Sequence, residues 1–192
     1  MGKSIKGTLT EKNLLTAFAS EFQRKNRYEF YAEKARTEGY QQIGAIFEKT
    51  ALQDQSHAKQ FFKFMEGGAI EITSTIESGL VDLTIENLKV AVTGEKESWS
   101  TIYPHFSQIA KEEGFASIAA IFQMIGKVKA EHEIRFQKLI VRLVDGTVFH
   151  REKPIRWECR KCGYIHEGVQ PPLSCPACQH PTAYFEQMAE NY

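Results

Sequence analysis

The chain has 192 residues, 42% of them hydrophobic, and its 24 lysines and arginines balance 24 aspartates and glutamates. That balance, without any run of basic residues, gives nucleic-acid binding no electrostatic support, and no apolar stretch is long enough to span a membrane. The opening Met1-Gly2-Lys3-Ser4-Ile5-Lys6 lacks the apolar block of a secretory signal, so the chain reads as soluble and cytoplasmic.

Thr8-Leu9-Thr10-Glu11 has the spacing of a capping box, and an inward stripe follows at Leu14, Phe18, Glu21, Lys25, Tyr28, Ala32 and Ala35. This predicts a long first helix that stops near Gly39. A second carries Ile43, Phe47, Thr50, Asp54, His57, Phe61 and Phe64 and ends at Gly67-Gly68. From Ala69 to about Gly79 the helical stripe is lost, which predicts a long crossover. A third helix carries Val81, Ile85, Leu88, Val92, Glu95, Trp99, Ile102 and Phe106, with a kink expected at Pro104 and a stop at Gly114. The fourth carries Ile118, Phe122, Ile125, Lys129, His132, Phe136, Leu139 and Leu143, and ends at Asp145-Gly146.

Short links after helices one and three, with one long link between helices two and three, describe two helical hairpins joined by a crossover. The hairpin is duplicated. Glu38-Gly39-Tyr40 through Phe47 recurs as Glu113-Gly114-Phe115 through Phe122, a displacement of 75 positions (113 minus 38). The same displacement sets Asp54 over Lys129, His57 over His132 and Phe61 over Phe136, and at nearly the same displacement Glu21 falls over Glu95.

Beyond the helices, Cys159 and Cys162 in one C-x-x-C turn are followed by Cys175 and Cys178 in another. Two such turns place four thiolates at the corners of a small tetrahedron, which suits iron or zinc, and Gly163 can supply the left-handed residue that such a turn needs. The segment is too short to bury much of a core, so a metal is expected to hold it together. The boundaries read as a ferritin-like four-helix bundle over 1–146, a linker over 147–155 and a cysteine metal domain over 156–192.

Glu21, Asp54 with His57, Glu95, and Lys129 with His132 interrupt the apolar stripes at about the middle of each helix. A carboxylate and a histidine three apart share a helix face, and two such pairs plus one Glu from each of two further helices is the di-iron carboxylate pattern of ferritin-like bundles. Burying these groups unpaired would cost several kcal/mol, so convergence on a common site is the expectation.

These features together resemble the rubrerythrin family over essentially the whole chain. The resemblance rests on Thr10-Glu11-Lys12-Asn13 and Glu21, on His57-Ala58-Lys59 with Phe62-Lys63-Phe64 and Glu66-Gly67-Gly68, on Gly94-Glu95, Tyr103-Pro104, Glu112-Glu113-Gly114, His132-Glu133 and Arg135-Phe136, and on the rubredoxin-like cysteine quartet. It implies a non-haem di-iron bundle, a rubredoxin-type iron that feeds it electrons from a reductase or rubredoxin, and reduction of hydrogen peroxide in the cytoplasm. It also implies a homodimer in which the cysteine iron of one subunit approaches the bundle site of the other. Glu21, Glu95, His57 and His132 would then be catalytic, and Cys159, Cys162, Cys175 and Cys178 with Glu21, Asp54, His57, Glu95 and His132 would be metal ligands.

The family pattern has carboxylates at 21, 54, 95, 98 and 129 and histidines at 57 and 132. Asp54 is one methylene short, and Ser98 and Lys129 do not match. Glu97 and Glu131 lie off the face and would need a helix bulge to replace them. Charge counting predicts that the Lys129 ammonium lies among Glu21, Asp54 and Glu95, or that its stem carries it to the surface. The alternative to peroxide reduction is therefore an electron-transfer or metal-binding protein whose bundle site is empty or holds one metal. A zinc-stapled interaction module is a third reading.

Overall fold

The computed structural model describes residues 3–73 and 79–190. α1 (Leu9–Thr37) starts on the Thr8 side chain, which accepts from the Glu11 N–H at 3.2 Å. Glu11 in turn accepts from the Gly7 N–H at 2.8 Å, one residue upstream of the cap, so the expected capping box closes on the preceding residue. Gly39, at φ 87°, turns the chain into α2 (Gln41–Phe62). α2 ends shortly before Gly67-Gly68, leaving Phe64 in the exit turn.

The crossover is non-helical over 69–73 and 79–83, and its central residues 74–78 lie outside the described residues. The third helix begins later than its stripe suggests. Asn87 Oδ1 accepts from the Asp82 N–H at 3.0 Å and Asn87 Nδ2 donates to the Asp82 carbonyl at 2.7 Å, which pins the approach outside the helix. Val81 is accordingly 48% exposed, and α3 spans Thr84–Glu97.

A π-helical turn, Ser98–Ile102, follows, and α4 (Tyr103–Glu112) continues the same rod. The Tyr103 N–H bonds back to the Ser98 carbonyl, five residues away. Pro104 stands in the first turn of α4, where its ring and missing N–H are tolerated because the wider turn precedes it. The kink expected at Pro104 is thus taken up by the π turn before it. Gly114, at φ 83°, leads into α5 (Ala116–Val144).

α1 packs on α2, and the α3–α4 rod packs on α5, giving a four-helix bundle of ferritin-like architecture with its long connection between the hairpins. Two apolar clusters fill it. One holds Leu14, Phe61, Tyr103, Phe115 and Phe122, and the other Tyr28, Phe47, Leu88 and Phe136. The polar mid-helix residues separate them.

The C-terminal unit is a three-stranded antiparallel sheet in the order β2-β1-β3, from β1 (Ile155–Cys159), β2 (Ile165–Gly168) and β3 (Phe185–Gln187). Its core is Trp157, Cys159, Cys175 and Phe185, with the Trp157 indole donating to the Gly168 carbonyl at 2.9 Å. It sits at the α1–α2 turn, where Phe149 stacks on Tyr40 at 6.4 Å between centroids. Among the described residues, no helix is long and apolar enough to cross a membrane.

Candidate metal centres

The two cysteine turns are built alike. The Cys159 carbonyl accepts from the Gly163 N–H at 2.8 Å, and the Cys175 carbonyl accepts from the Gln179 N–H at 2.8 Å. The left-handed residue is Gly163 (φ 76°) in the first turn, as expected from the sequence, but Gln179 (φ 62°) in the second. No side-chain type marks Gln179 for this role; only its matching position, four after the first cysteine, does.

Cys159 Sγ lies 3.7 Å from Cys178 Sγ, and Cys162 Sγ 3.6 Å from Cys175 Sγ. A tetrahedral ion with bonds of ~2.3 Å to sulfur requires edges of ~3.8 Å. Two opposite edges of the quartet have that length and all four sulfurs lie within 4.8 Å of one another, a set that suits one iron or zinc ion. Burial lifts the Cys175 thiol, but N–H groups of Cys178 and Ala177 overcome this and bring it down to about 7, whereas Cys162, despite the Tyr164 N–H, is pushed up to about 12 by burial and the neighbouring thiols.

In the bundle, Glu21, Asp54, Glu95 and Lys129 are fully buried and His132 is 2% exposed. Two donor triads share Asp54: Glu21, Asp54 and His57 on one side, and Asp54, Glu95 and His132 on the other, with donor atoms in each triad within 4.8 Å of one another. Between them stands the Lys129 ammonium. Its Nζ is 2.6 Å from Asp54 Oδ1, 2.9 Å from Glu21 Oε2 and 3.4 Å from Glu95 Oε2. Its stem does not carry the charge to the surface.

Position 98 is likewise committed. The Ser98 hydroxyl donates to the Gly94 carbonyl at 2.7 Å and accepts from Arg24 Nη1 at 3.0 Å. Arg24 also donates to Glu21 Oε1 at 2.9 Å. Glu97 and Glu131 are exposed, so the π turn brings neither into the site. Glu133 is buried but accepts from the Trp99 indole at 2.5 Å and from Gln137 at 2.8 Å, outside both triads.

Electrostatics follow from this geometry. Burial would lift the Glu21 carboxyl, yet Lys129 and Arg24 hold it well below the usual carboxylate range. Burial is also overcome at Glu95, where Lys129, His132 and Arg24 bring the value down to about 2. Asp54 moves the other way despite lying nearest the ammonium, because burial together with the Glu21 and Glu95 charges outweighs Lys129. Burial opposes charge on Lys129, and Asp54, Glu21 and Glu95 reverse that and push it up.

Three residues of the site were not singled out for it from the sequence. Arg24, three after Glu21, shares its helix face and could have been found by periodicity. Tyr28, seven after Glu21 and read only as stripe, donates to Glu95 Oε1 at 2.6 Å. Tyr103 donates to Glu21 Oε1. No helical spacing forecasts this last contact, because the π turn shifts the register before it.

Two divalent ions do not fit these residues. A lysine ammonium ~4 Å from a divalent ion is repelled by roughly 8 kcal/mol at an effective dielectric near 20, and Lys129 stands between the triads. Three carboxylates with Lys129 and Arg24 sum to a charge of −1 (−3 + 2), which two such ions would carry to +3.

Residues 12–140 match the family described as Rubrerythrin, and residues 157–186 match its rubredoxin-like domain. The chain belongs to the rubrerythrin family. It is 52% identical to the rubrerythrin of Porphyromonas gingivalis over 192 residues, covering all of this chain and 96% of that one. It is 45% identical to the rubrerythrin of Nitratidesulfovibrio vulgaris over 190 residues, covering 99% and 100%. The fold is similar to that of nigerythrin in its fully reduced, all-ferrous state, with a TM-score of 0.64 at 26% identity over 97% of this chain and 92% of that one. Family membership places the chain among non-haem iron proteins.

Proposed function

We propose that this rubrerythrin-family chain is an electron-transfer protein whose working centre is one iron held by Cys159, Cys162, Cys175 and Cys178. The observation that carries this reading is the gathering of the four sulfurs within 4.8 Å of one another, with two opposite edges at the length a tetrahedral thiolate ion requires. Such an iron exchanges single electrons between its ferrous and ferric forms, with the surrounding N–H groups and burial setting its potential. Zinc fits the same sulfurs but carries no electrons. We read the chain as two units, 1–146 and 156–192, joined by 147–155.

Reduction of hydrogen peroxide is the second reading, favoured by Glu21, His57, Glu95 and His132 at one depth and by the full-length relatives. Those residues would then hold bundle iron, and electrons would reach it from the cysteine centre. Tyr40, beside the cysteine unit, is fourteen residues from Asp54 along α2, or roughly 20 Å of helix. A homodimer that sets one subunit's cysteine centre against the other's bundle would shorten this path. The donor would be a reductase or rubredoxin of the cytoplasm.

Anaerobically purified protein tests both readings. The electron-transfer reading expects thiolate-to-iron absorption that bleaches on reduction, with peroxide reoxidising the centre no faster in the whole protein than in the cysteine unit alone, 147–192. Protein containing only zinc would exclude electron transfer, and catalytic peroxide turnover would favour the second reading.

A further inference from the structure

Arg135, Lys138 and Arg142 follow one another along α5 in steps of three and four, so they share one helix face and spread over roughly 10 Å of its length. Arginines elsewhere are matched by acids, Arg36 with Glu48, Arg156 with Glu190 and Arg160 with Glu186. Among the described residues, no carboxylate lies within ion-pair distance of Arg135, Lys138 or Arg142. The Glu95 and Asp54 charges reach Arg135 without pairing with it.

Two further observations show that these positive charges are crowded. Arg135 Nη2 donates to Thr50 Oγ1 at 2.9 Å and to Gln53 Oε1 at 3.3 Å, but its Nε is buried with no acceptor. Arg151 comes close to Arg142, and burial together with the Arg142 charge lowers its guanidinium below the ordinary value.

The three α5 cations line an open cleft of about 530 Å³ between α5, the start of α2 and the residues after β3. Ile46, Leu139 and Met188 give the cleft apolar walls, and Glu131 is the carboxylate among its lining residues, leaving a net charge of +2 (3 − 1). A single phosphate is too short to meet cations spread over ~10 Å of helix, and apolar walls offer a purely ionic ligand nothing to bury against. An elongated organic molecule with linked phosphates meets both conditions, and the volume is that of a small-molecule site.

We propose that this cleft binds a nucleoside diphosphate, with Lys138 and Arg142 on the phosphates and the nucleoside against Ile46, Leu139 and Met188. Arginine suits this task because its planar fork meets a phosphate with two parallel hydrogen bonds. One wall belongs to the bundle and the other to the C-terminal unit, so the ligand ties the two together. The inference is independent of the metal at the cysteines.

Whole protein with its cysteine site filled is titrated with ADP by isothermal calorimetry in about 0.15 M salt, which screens weak surface attraction. One ADP per chain is expected, with inorganic pyrophosphate and adenosine each binding more weakly. Lys138→Gln and Arg142→Gln should each weaken ADP about tenfold, the worth of one hydrogen bond between charged groups. Lys127→Gln, at an exposed lysine of α5 outside the cleft, should leave ADP binding unchanged. In the unaltered chain, ADP should also shield Lys138 from acetic anhydride, read by mass spectrometry, with Lys127 as the internal control. No ADP binding, pyrophosphate or adenosine binding as tightly as ADP, equal losses from Lys127→Gln and Lys138→Gln, or a polyglutamate peptide binding more tightly than ADP would overturn the proposal.

Discussion

Asp54 and Lys129 occupy equivalent positions of the duplicated hairpin, 75 residues apart, and meet in a buried ion pair of 2.6 Å. Where a symmetric site would place two like carboxylates, this chain has joined opposite charges. The pair is held by Glu21 at 2.9 Å from the same ammonium, so its removal strands more than one charge.

Lys129→Met should therefore destabilise the metal-free bundle by about 3–5 kcal/mol, the usual cost of removing one partner from a buried ion pair. Urea unfolding followed by far-UV circular dichroism in the presence of chelator measures it. A loss below about 1 kcal/mol would mean that Asp54 and Glu21 find other partners.

Acid should weaken the same cluster with a definite sign. Glu95 titrates at about 2 in the folded bundle and near its ordinary value of 4.5 when unfolded, so its contribution is complete above that value. It is lost as pH falls from about 4.5 toward 2, and amounts to on the order of 3 kcal/mol at most. Asp54 is displaced upward and opposes part of this loss. Urea midpoints across this range, compared with Glu95→Gln, should show the shallower acid dependence in the variant. Equal slopes would remove Glu95 from the account.

The cysteine turns yield a backbone prediction. Gln179 has a left-handed φ of 62° that glycine adopts freely, whereas Gly163 already supplies that residue in the first turn. Gln179→Gly should stabilise the metal unit by about 0.5–1 kcal/mol, and Gly163→Ala should destabilise it by at least as much. The guanidinium concentration at which thiolate-to-iron absorption disappears reads both changes.

Cys175→Ser removes a buried sulfur from a unit whose buried core, among the described residues, is Trp157, Cys159, Cys175 and Phe185. Loss of metal should unfold residues beyond about 155 and leave the bundle helical. Helical ellipticity that falls by more than a few per cent would show that the bundle depends on the cysteine unit.

Much of this was legible in the sequence because helical faces obey one period. Glu21, Asp54, His57, Glu95 and His132 lie on the inward stripes, and the structure gathers them into two triads that share Asp54. The late start of α3 was hidden because Val81 fits the stripe, while the Asn87–Asp82 bonds that exclude it are local and carry no period. Pro104 announced a disturbance without its form. The π turn that answers it brings Tyr103 to Glu21 through a spacing that a regular helix does not have. The contact of His132 Nε2 with Gln53, whose oxygen also accepts from Arg135, is a tertiary relation beyond any reading of its own helix.

Mössbauer spectroscopy of protein loaded anaerobically with 57Fe, recorded before and after exposure to peroxide, tests the central claim most directly. The account predicts one tetrahedral thiolate iron that changes valence and no more than one uncoupled iron in the bundle. A magnetically coupled pair of bundle irons in the unaltered chain would contradict it, because Lys129 could not then stand between Glu21, Asp54 and Glu95.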